Sequence, residues 1–294
     1  MRKSKKWTIQ IVQPSSPSPT DILLDRVKEL QSIGFNVIFK APPFNLNEPW
    51  YSATQQDRLN ELGESLIDES IDYVLSARGG YGASDLISEL PWEQIKKSKP
   101  KSLIGFSDTS ALHAALYSQA KWPGIHGPMP GTTYWHPESE EIKKFCDRLK
   151  NNTWSGQLEL SEHSRQTISG TLFGGCFSVI TNLIGTKWLP DFSGKVIFIE
   201  DIQENIPRML RMWNQWLQSG ILNKVEAMII GQLVGCGDQQ EIKTFVNIIQ
   251  KSVSFPIFKT EAFGHCSPNQ VMKLGCRATI NDNIMKWTDT GEYL

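Results

Sequence analysis

The sequence has few cysteines and none of the paired spacings on which disulfide frameworks and metal sites depend. Its five cysteines are an odd number without a Cys-x-x-Cys pair, and its five histidines form no His-x-x-x-His or His-Glu-x-x-His pair. Disulfide scaffolds and zinc sites are built from such pairs. We therefore expect no disulfide scaffold, no metal in the functional site and no cofactor.

An excess of charge of one sign and long apolar runs are also lacking. The 294 residues include 30 Lys and Arg against 31 Asp and Glu, and the basic residues form no stripe. Nucleic-acid binding needs clustered basic residues, so we expect no such partner. No run approaches the roughly 20 apolar residues of a membrane span. The basic start Met1–Lys6 precedes only Trp7–Val12, too polar for a signal peptide. We therefore expect a cytoplasmic chain without a membrane partner.

Strand and helix patterns alternate in the first half of the chain. The composition, 39% hydrophobic and 21% charged, is that of a globular protein with a proper core. Period-2 and buried apolar runs predict strands, and 3.6-residue spacing predicts the helices between them. The predicted strands are Trp7–Val12, Phe35–Phe39, Ile71–Ser76 and Leu103–Ile104. Such alternation predicts βαβ units and a parallel sheet, whose ligands bind beyond the carboxyl ends of the strands.

A polar stretch without periodicity divides the sequence. Residues 151–167 follow a helical pattern and precede a second region with apolar strands, such as Lys195–Ile199. We predict a first domain over 1–150, a linker over 151–167 and a second domain over 168–294.

The segment Gly105-Phe-Ser-Asp-Thr109 has the layout of a nucleophile elbow, which is a strand, a sharp turn and a helix. In that layout Ser107 projects its hydroxyl, and the Asp108 N–H at the helix N-terminus can donate to an oxyanion. Thr109 stands where the usual motif has glycine. A serine or aspartate that caps the helix is the alternative, which local sequence favours because such caps are common.

A second turn, Ala77-Arg-Gly-Gly-Tyr-Gly82, follows the predicted strand Ile71–Ser76. A Gly-Gly pair lets backbone N–H groups approach a ligand closely. The spacing matches no nucleotide-binding motif. The turn is either a plain tight turn, or it supplies a second oxyanion donor or frames the substrate, with Arg78 near a carboxylate.

A serine nucleophile needs a base, and the base needs an orienting acid. His265 is the best candidate base, because it lies in a Gly/Pro-bounded loop where an exposed, mobile imidazole is plausible. The other histidines are assigned as follows: His113 structural within a helix, His126 in a loop that could line a site, and His136 and His163 at the surface.

Two carboxylates at the end of the strand Val196–Ile199 are candidates for the acid. Burying a carboxylate there is costly without a partner. The partner could be the base, or it could be an arginine such as Arg208 or Arg211. Spacing alone does not choose between Glu200 and Asp201.

These segments, taken in order, resemble the LD-carboxypeptidase family of serine peptidases, which includes the microcin-immunity peptidases. The matching segments cover nearly the whole chain: Ile11–Ser16, Ala77–Ser84, Gly105–Asp108, His126–Met129, Gly170–Gly175, Leu183–Thr186, Ile199–Ile202 with Arg208–Leu210, and Gly264–His265.

The resemblance implies a Ser-Glu-His triad of Ser107, Glu200 and His265, with oxyanion donors at the N–H groups of Asp108 and Gly80. It implies an α/β fold, with an N-terminal Rossmann-like parallel-sheet domain carrying the serine. A smaller β-rich C-terminal domain then carries Glu200 and His265, and the site lies at the domain interface.

We further expect Arg78, Gly79 and Tyr81 to contact substrate. Two positions depart from the family pattern. Cys176 stands where many relatives have asparagine, and the segment beginning at Cys266 differs from some relatives.

The implied reaction is hydrolysis of the L,D amide between the diamino acid and the terminal D-Ala of a cytoplasmic murein tetrapeptide, as in peptidoglycan recycling. The implied assembly is a homodimer. Two alternatives stay open: a microcin-immunity peptidase that cleaves a peptidyl- or aminoacyl-nucleotide amide, and a non-catalytic small-molecule binding module.

Overall fold

The computed structural model describes residues 6–41 and 48–291. The chain divides into two compact units, Met1–Thr153 and Trp154–Leu294, each built around a sheet. The basic residues before Lys6, which the sequence raised as a signal-peptide start, lie outside the described residues. Among the described residues, no helix is long and apolar enough to cross a membrane.

Five strands and six helices of the N-terminal unit alternate along the described chain. The strands are β1 (Thr8–Val12), β2 (Asn36–Phe39), β3 (Tyr73–Ser76), β4 (Ser102–Gly105) and β5 (Gly124–His126). The helices are α1 (Thr20–Ser32), α2 (Gln55–Ile67), α3 (Ala83–Leu86), α4 (Trp92–Ile95), α5 (Thr109–Ala120) and α6 (Glu140–Asn151).

These strands pair in the order β2-β1-β3-β4-β5, and each pair is parallel. The predicted parallel sheet is confirmed. This order is a doubly wound arrangement in which the connections reverse direction between β1 and β3, and ligands bind beyond the strand ends at such a reversal. The loops after β1, β3 and β4 lie at this edge, and the last two hold the glycine turn and the serine elbow.

Helix α5 is buried from Thr109 to Tyr117. Its sequence is small and apolar on every face, which is the composition of a helix enclosed by the core. The helix packs beside β4 and β5, whose residues are also buried. The turn that precedes α5 is therefore held on a rigid support.

The C-terminal unit contains a second sheet with mixed strand directions. The described strands of this unit are β6 (Gly156–Cys176), β7 (Lys195–Ile202), β8 (Ala227–Val234), β9 (Ile257–Lys259), β10 (Met272–Lys273) and β11 (Arg277–Thr288). Its described helices are α7 (Phe177–Thr181), α8 (Ile206–Ser219) and α9 (Gln239–Ser252). The five-stranded order is β11-β6-β7-β8-β9, antiparallel only between β11 and β6. The predicted α/β class with a β-rich second region is confirmed.

The prediction of a linker over 151–167 was wrong for most of its length. Strand β6 begins at Gly156, which pairs with Trp287 of β11. Among the described strands, the part of β6 before Thr171 pairs with β11 alone, and most of its side chains are exposed. Leu158 and Leu160 are buried and alternate with exposed residues, but from Ser161 to Thr167 the ribbon is open to solvent and has no apolar alternation, so its sequence resembled a loop.

Candidate active site

The residue after Phe106 lies in an unusual backbone conformation. Ser107 has φ +59°, in the left-handed region that costs a residue with a Cβ roughly 1–2 kcal/mol. Gly105 precedes the turn, and a Cβ there would lie 2.8 Å from Thr109 Oγ1. Non-glycine residues keep such strain mainly where function requires the geometry. This conformation is what a nucleophile elbow demands.

The aspartate beside this serine is at the N-cap of α5, but its carboxylate makes no capping hydrogen bond. The Asp108 side chain is buried and accepts a hydrogen bond from Ala83 N–H at 2.9 Å. The alternative in which an Asp108 side chain caps the helix is therefore wrong.

The glycine turn after β3 packs directly against the elbow. A Cβ on Gly79 would lie 2.7 Å from Ser107 Cβ and 3.2 Å from Asp108 N, so only glycine fits. Gly80 has φ +111°, and a Cβ there would lie 2.2 Å from Ser16 Oγ. This loop is more than a plain turn, since two of its positions exclude any side chain.

Hydrogen bonds fix the glycine turn to the loop after β1. Ser16 N–H donates to Gly79 O at 3.3 Å, and Ser16 Oγ accepts from Tyr81 N–H at 3.1 Å. Over residues 6–41 and 48–291, the N–H groups of Gly80 and Asp108 have no protein acceptor. Two backbone donors therefore remain available in this part of the N-terminal unit.

The C-terminal unit holds a buried imidazole–carboxylate pair. His265 Nδ1 lies 2.7 Å from Glu200 Oε2, and Glu200 is fully buried on β7. An Nδ1–H that donates to the carboxylate puts the basic lone pair on Nε2, the tautomer that a general base requires. Burial lowers the pKa of His265, but the charge and hydrogen bond of Glu200 outweigh it, and the pKa is raised above 6.5.

The expectation of an exposed, mobile His265 was wrong. The imidazole is buried, because its loop is fixed at several points. Gly264 N–H donates to Asn269 Oδ1 at 3.2 Å, and Gln232 N–H donates to Phe263 O at 3.0 Å. The loop assignment itself is confirmed.

Comparison with known proteins gives the family. Residues 9–127 match the LD-carboxypeptidase N-terminal domain, and residues 169–280 match the LD-carboxypeptidase C-terminal domain. A putative carboxypeptidase of Rickettsia conorii is 30% identical over 273 residues, which cover 89% of this chain and 84% of that protein. The chain belongs to the LD-carboxypeptidase family. It is therefore a peptidase of the carboxypeptidase type, and a hydrolase.

Three further proteins resemble the chain over most of its length. A probable murein peptide carboxypeptidase of Bacillus subtilis is 29% identical over 289 residues, covering 95% of this chain and 90% of that protein. The microcin C7 self-immunity protein of Escherichia coli is 24% identical over 313 residues, covering 91% and 88%. The crystal structure of a muramoyltetrapeptide carboxypeptidase from Oxalobacter formigenes has the same fold, with a TM-score of 0.85, 24% identity and coverage of 96% and 99%.

The two candidate acids of the C-terminal unit have different partners. Asp201 accepts hydrogen bonds from Ser178 N–H and Ile202 N–H, both at 2.8 Å. Arg208 pairs with Glu204 rather than with either candidate. The geometry therefore gives Glu200 to the imidazole and Asp201 to the start of α7.

The predicted substrate residues lie around the glycine turn of the N-terminal unit. Arg78 is half-buried, and its Nη1 donates to Pro17 O at 3.1 Å. Tyr81 is 50% exposed, and its ring centroid lies 5.6 Å from that of Tyr51. A guanidinium and an exposed phenol thus lie on either side of Gly79 and Gly80 in sequence.

The remaining histidines of the chain have other surroundings than His265. His113 is buried, with Nε2 3.0 Å from Leu103 O, and burial lowers its pKa to about 3, as expected of a structural residue. His126 ends strand β5 and is buried, so its assignment to a loop was wrong; a three-residue strand between Gly and Pro gives little periodicity. His163 and His136 are exposed.

The two cysteines at departures from the family pattern differ in their surroundings. Cys176 is buried with Sγ 3.4 Å from Asp201 Oδ1, and burial raises the pKa of its thiol well above 9. Cys266 is half-buried with Sγ 3.2 Å from Pro268 O. Among the described residues, no cluster of three His, Cys, Asp or Glu side chains could hold a metal ion.

Sequence reasoning missed two contributors to this region. Arg58 on α2 is buried beneath the loops, and the Asp108 carboxylate was considered only as a helix cap. An arginine on an amphipathic helix carries no sequence signal of burial, because arginines on such helices are normally exposed.

Proposed function

We propose that the chain is a serine LD-carboxypeptidase that hydrolyses the L,D amide joining terminal D-Ala to the diamino acid of a murein tetrapeptide, in cytoplasmic peptidoglycan recycling. The observation that carries the proposal is the left-handed Ser107 at the elbow, packed against the glycine turn. The Glu200–His265 pair supplies the matching base and acid. The names of the relatives from Bacillus subtilis and Oxalobacter formigenes support the substrate class.

The proposed chemistry is acyl transfer through a covalent intermediate. His265 Nε2 takes the hydroxyl proton as Ser107 Oγ attacks the amide carbonyl carbon, and Glu200 stabilises the resulting imidazolium. The tetrahedral oxyanion accepts hydrogen bonds from the N–H groups of Asp108 and Gly80, each worth about 2.7–4 kcal/mol in comparable sites. The C–N bond then breaks, and His265 protonates the amine of the leaving D-Ala.

Water completes the cycle. His265 removes a proton from the water that attacks the acyl-serine ester, and the Ser107 hydroxyl is regenerated as the tripeptide leaves. In this proposal Arg78 binds a carboxylate of the substrate, while Gly79 and Tyr81 border the peptide. We also propose that the chain acts as a cytoplasmic homodimer with no nucleic-acid or membrane partner.

Incubation with a synthetic murein tetrapeptide tests the function. The wild type should release D-Ala, and Ser107→Ala should lower the rate at least 10³-fold because the nucleophile is lost. A conservative surface variant, Ser88→Ala, is the control and should match the wild type. D-Ala release by Ser107→Ala at a rate near that of the wild type would overturn the proposal.

A microcin-immunity activity is the second candidate, supported by similarity to the Escherichia coli self-immunity protein. An aminoacyl-sulfamoyl adenosine offered beside the tetrapeptide separates the two candidates, because each predicts a higher kcat/KM for its own substrate. A non-catalytic binding module predicts turnover of neither compound. It also predicts ligand affinity unchanged in Ser107→Ala.

A further inference from the structure

A single peptide group in the glycine turn is held at both ends by buried charged side chains. The carbonyl oxygen of Gly82 accepts a hydrogen bond from Arg58 Nη1 at 2.8 Å. The N–H of the same peptide, on Ala83, donates to Asp108 Oδ2 at 2.9 Å. Arg58 and Asp108 are thus bridged by the 82–83 peptide, and we call these three groups the peptide bridge.

The arginine of the bridge connects three segments of the N-terminal unit. Besides Gly82, Arg58 donates to Pro14 O at 2.6 Å through Nη1 and to Ala53 O at 3.3 Å through Nε. It is only 2% exposed and lies 4.5 Å from the centroid of the Tyr51 ring. The guanidinium therefore ties the loop after β1 and the start of α2 to the glycine turn.

The aspartate of the bridge follows the elbow serine directly. Asp108 is 4% exposed, and burial raises the pKa of its carboxyl against the opposing effects of Ser15, the Ala83 N–H and Arg58. Its carboxylate serves the glycine turn rather than its own helix. One residue thus places its backbone N–H at the elbow and its side chain on the opposite loop.

Burying an arginine and an aspartate is costly unless both are paired and hydrogen-bonded. Packing alone does not require these charges, since apolar side chains could fill the same space. The peptide bridge does fix a distance, because it links the turn that contains Gly80 to the turn that contains Asp108. The steric fit is equally tight: a Cβ on Gly82 would lie 2.7 Å from Arg58 Nη1.

We propose that Arg58 and Asp108 are positioning residues, which hold the glycine turn against the Ser107 elbow through the 82–83 peptide. They thereby set the separation of the Gly80 and Asp108 N–H groups. This inference rests on the proposed serine acyl transfer, in which those two groups receive the oxyanion. It assigns a role to the Asp108 carboxylate and to Arg58 that neither the elbow nor the triad requires.

Breaking either end of the bridge should impair transition-state stabilisation more than substrate binding. Asp108→Ala and Arg58→Met should each lower kcat about 10²-fold on the tetrapeptide, the effect of one poorly placed oxyanion donor, with KM changed less than about threefold. Asp108→Asn keeps an oxygen acceptor for Ala83 N–H and should retain kcat within about tenfold of the wild type. If Asp108→Ala does not fold, the kcat of Arg58→Lys decides the proposal instead. Arg58→Lys is a milder change, at the other end of the peptide bridge.

A control variant separates positioning from general destabilisation. Leu149→Ala opens a cavity in the same unit, in the buried face of α6, and lowers thermal stability without touching the loops. It should keep kcat within threefold of the wild type. The comparison is made between variants whose melting temperatures are lowered by similar amounts. If the bridge variants then lose no more kcat than Leu149→Ala, the proposal is overturned. Equal losses in Asp108→Asn and Asp108→Ala would also overturn it.

Hydrogen exchange measured on the full-length protein provides a readout that does not need turnover. Asp108→Ala and Arg58→Met should raise amide exchange over residues 79–86 at least tenfold, while exchange in α9 stays unchanged. Unchanged exchange over 79–86 would overturn the positioning role even if the tetrapeptide is hydrolysed. Conversely, a wild type that hydrolyses no tetrapeptide would refute the proposed function and leave the exchange result to decide the bridge.

Discussion

At the scale of single residues, Ser107 has an unfavourable backbone conformation and lies between two core elements. Its φ of +59° is retained because β4 ends two residues before it, at Gly105, and the buried helix α5 begins two residues after it, at Thr109. A left-handed serine costs free energy that a glycine would not. The elbow is therefore maintained by the packing of two core elements against local preference.

Replacing this serine should separate stability from activity. Ser107→Gly should unfold at a higher midpoint than Ser107→Ala, by about 1 kcal/mol in free energy, because glycine relieves the left-handed strain. Both variants should be inactive. Lys121, at φ +56° on the exposed C-cap of α5, is the control. Lys121→Gly should likewise unfold at a higher midpoint than Lys121→Ala. Urea or thermal unfolding measures the difference, and equal midpoints for the two Ser107 variants would contradict the strain.

The Glu200–His265 pair also acts at the residue scale. Burial by itself lowers the pKa of His265, and the neighbouring carboxylate raises it above 6.5. A general base works only when neutral, so activity falls as the pH drops through this pKa. The pH at which kcat/KM falls on the acid side of its profile, the acid limb, therefore reports the interaction between Glu200 and His265.

Glu200→Gln should move the acid limb of the kcat/KM profile to lower pH. The variant removes the larger of the two charges that raise the pKa of His265, while the burial that lowers it and the smaller effect of Asp201 remain. Its plateau rate should also fall, since the imidazolium loses its stabilising charge. Asp282→Asn, which alters the exposed partner of His163, should leave the profile unchanged. An acid limb that is the same in Glu200→Gln and the wild type would show that Glu200 does not govern His265.

At the scale of elements, strand β7 presents its two carboxylates to different structures. Glu200 binds the His265 loop, whereas Asp201 binds the first turn of α7 through Ser178. The pairing of β7 with β8 shifts register between Ile199 and Asp201. Adjacent strand residues point to opposite faces, so only one of the two can meet the imidazole.

Asp201→Ala should therefore lower the stability of the fold more than it alters the catalytic base. It leaves the N–H groups of Ser178 and Ile202 without their acceptor, which should cost about 1–3 kcal/mol of unfolding free energy. The acid limb of kcat/KM should move to lower pH less than in Glu200→Gln, because Asp201 raises the pKa of His265 less than the charge and hydrogen bond of Glu200 do. Thermal unfolding and the pH profile test this together, and a variant as stable as the wild type whose acid limb falls as far as that of Glu200→Gln would exchange the roles of the two carboxylates.

At the scale of the whole molecule, the proposed triad draws on distant parts of the sequence. Ser107 belongs to the N-terminal unit, whereas Glu200 and His265 belong to the C-terminal unit. Each unit has its own sheet and its own buried apolar core. The proposed homodimer raises the question of whether one copy supplies all three residues.

Mixing two inactive variants answers that question. If each chain supplies its own triad, Ser107→Ala mixed with His265→Ala should remain inactive after subunit exchange. Triads shared between copies would instead restore activity in heterodimers. Light scattering of the same samples gives the oligomeric state, and restored D-Ala release would contradict a triad built within one chain.

The fold was predictable where local patterns report the core directly. Alternating strands and helices gave the parallel sheet, because strands buried on both faces must be apolar and the intervening helices must be amphipathic. The exposed start of β6 was missed, since a two-stranded ribbon in solvent leaves no apolar pattern. The short β5 was missed for lack of length.

The sequence by itself determined the class of fold, the family, the candidate nucleophile and base, and the two carboxylates from which the acid comes, because ordered motifs encode residue types and their order. The tertiary structure decided which carboxylate meets His265, that the imidazole is buried, and that Arg58 and Asp108 hold one peptide between them. Those outcomes depend on which side chains meet after folding, and hydrogen bonds between residues 24 to 65 positions apart leave no mark on local sequence.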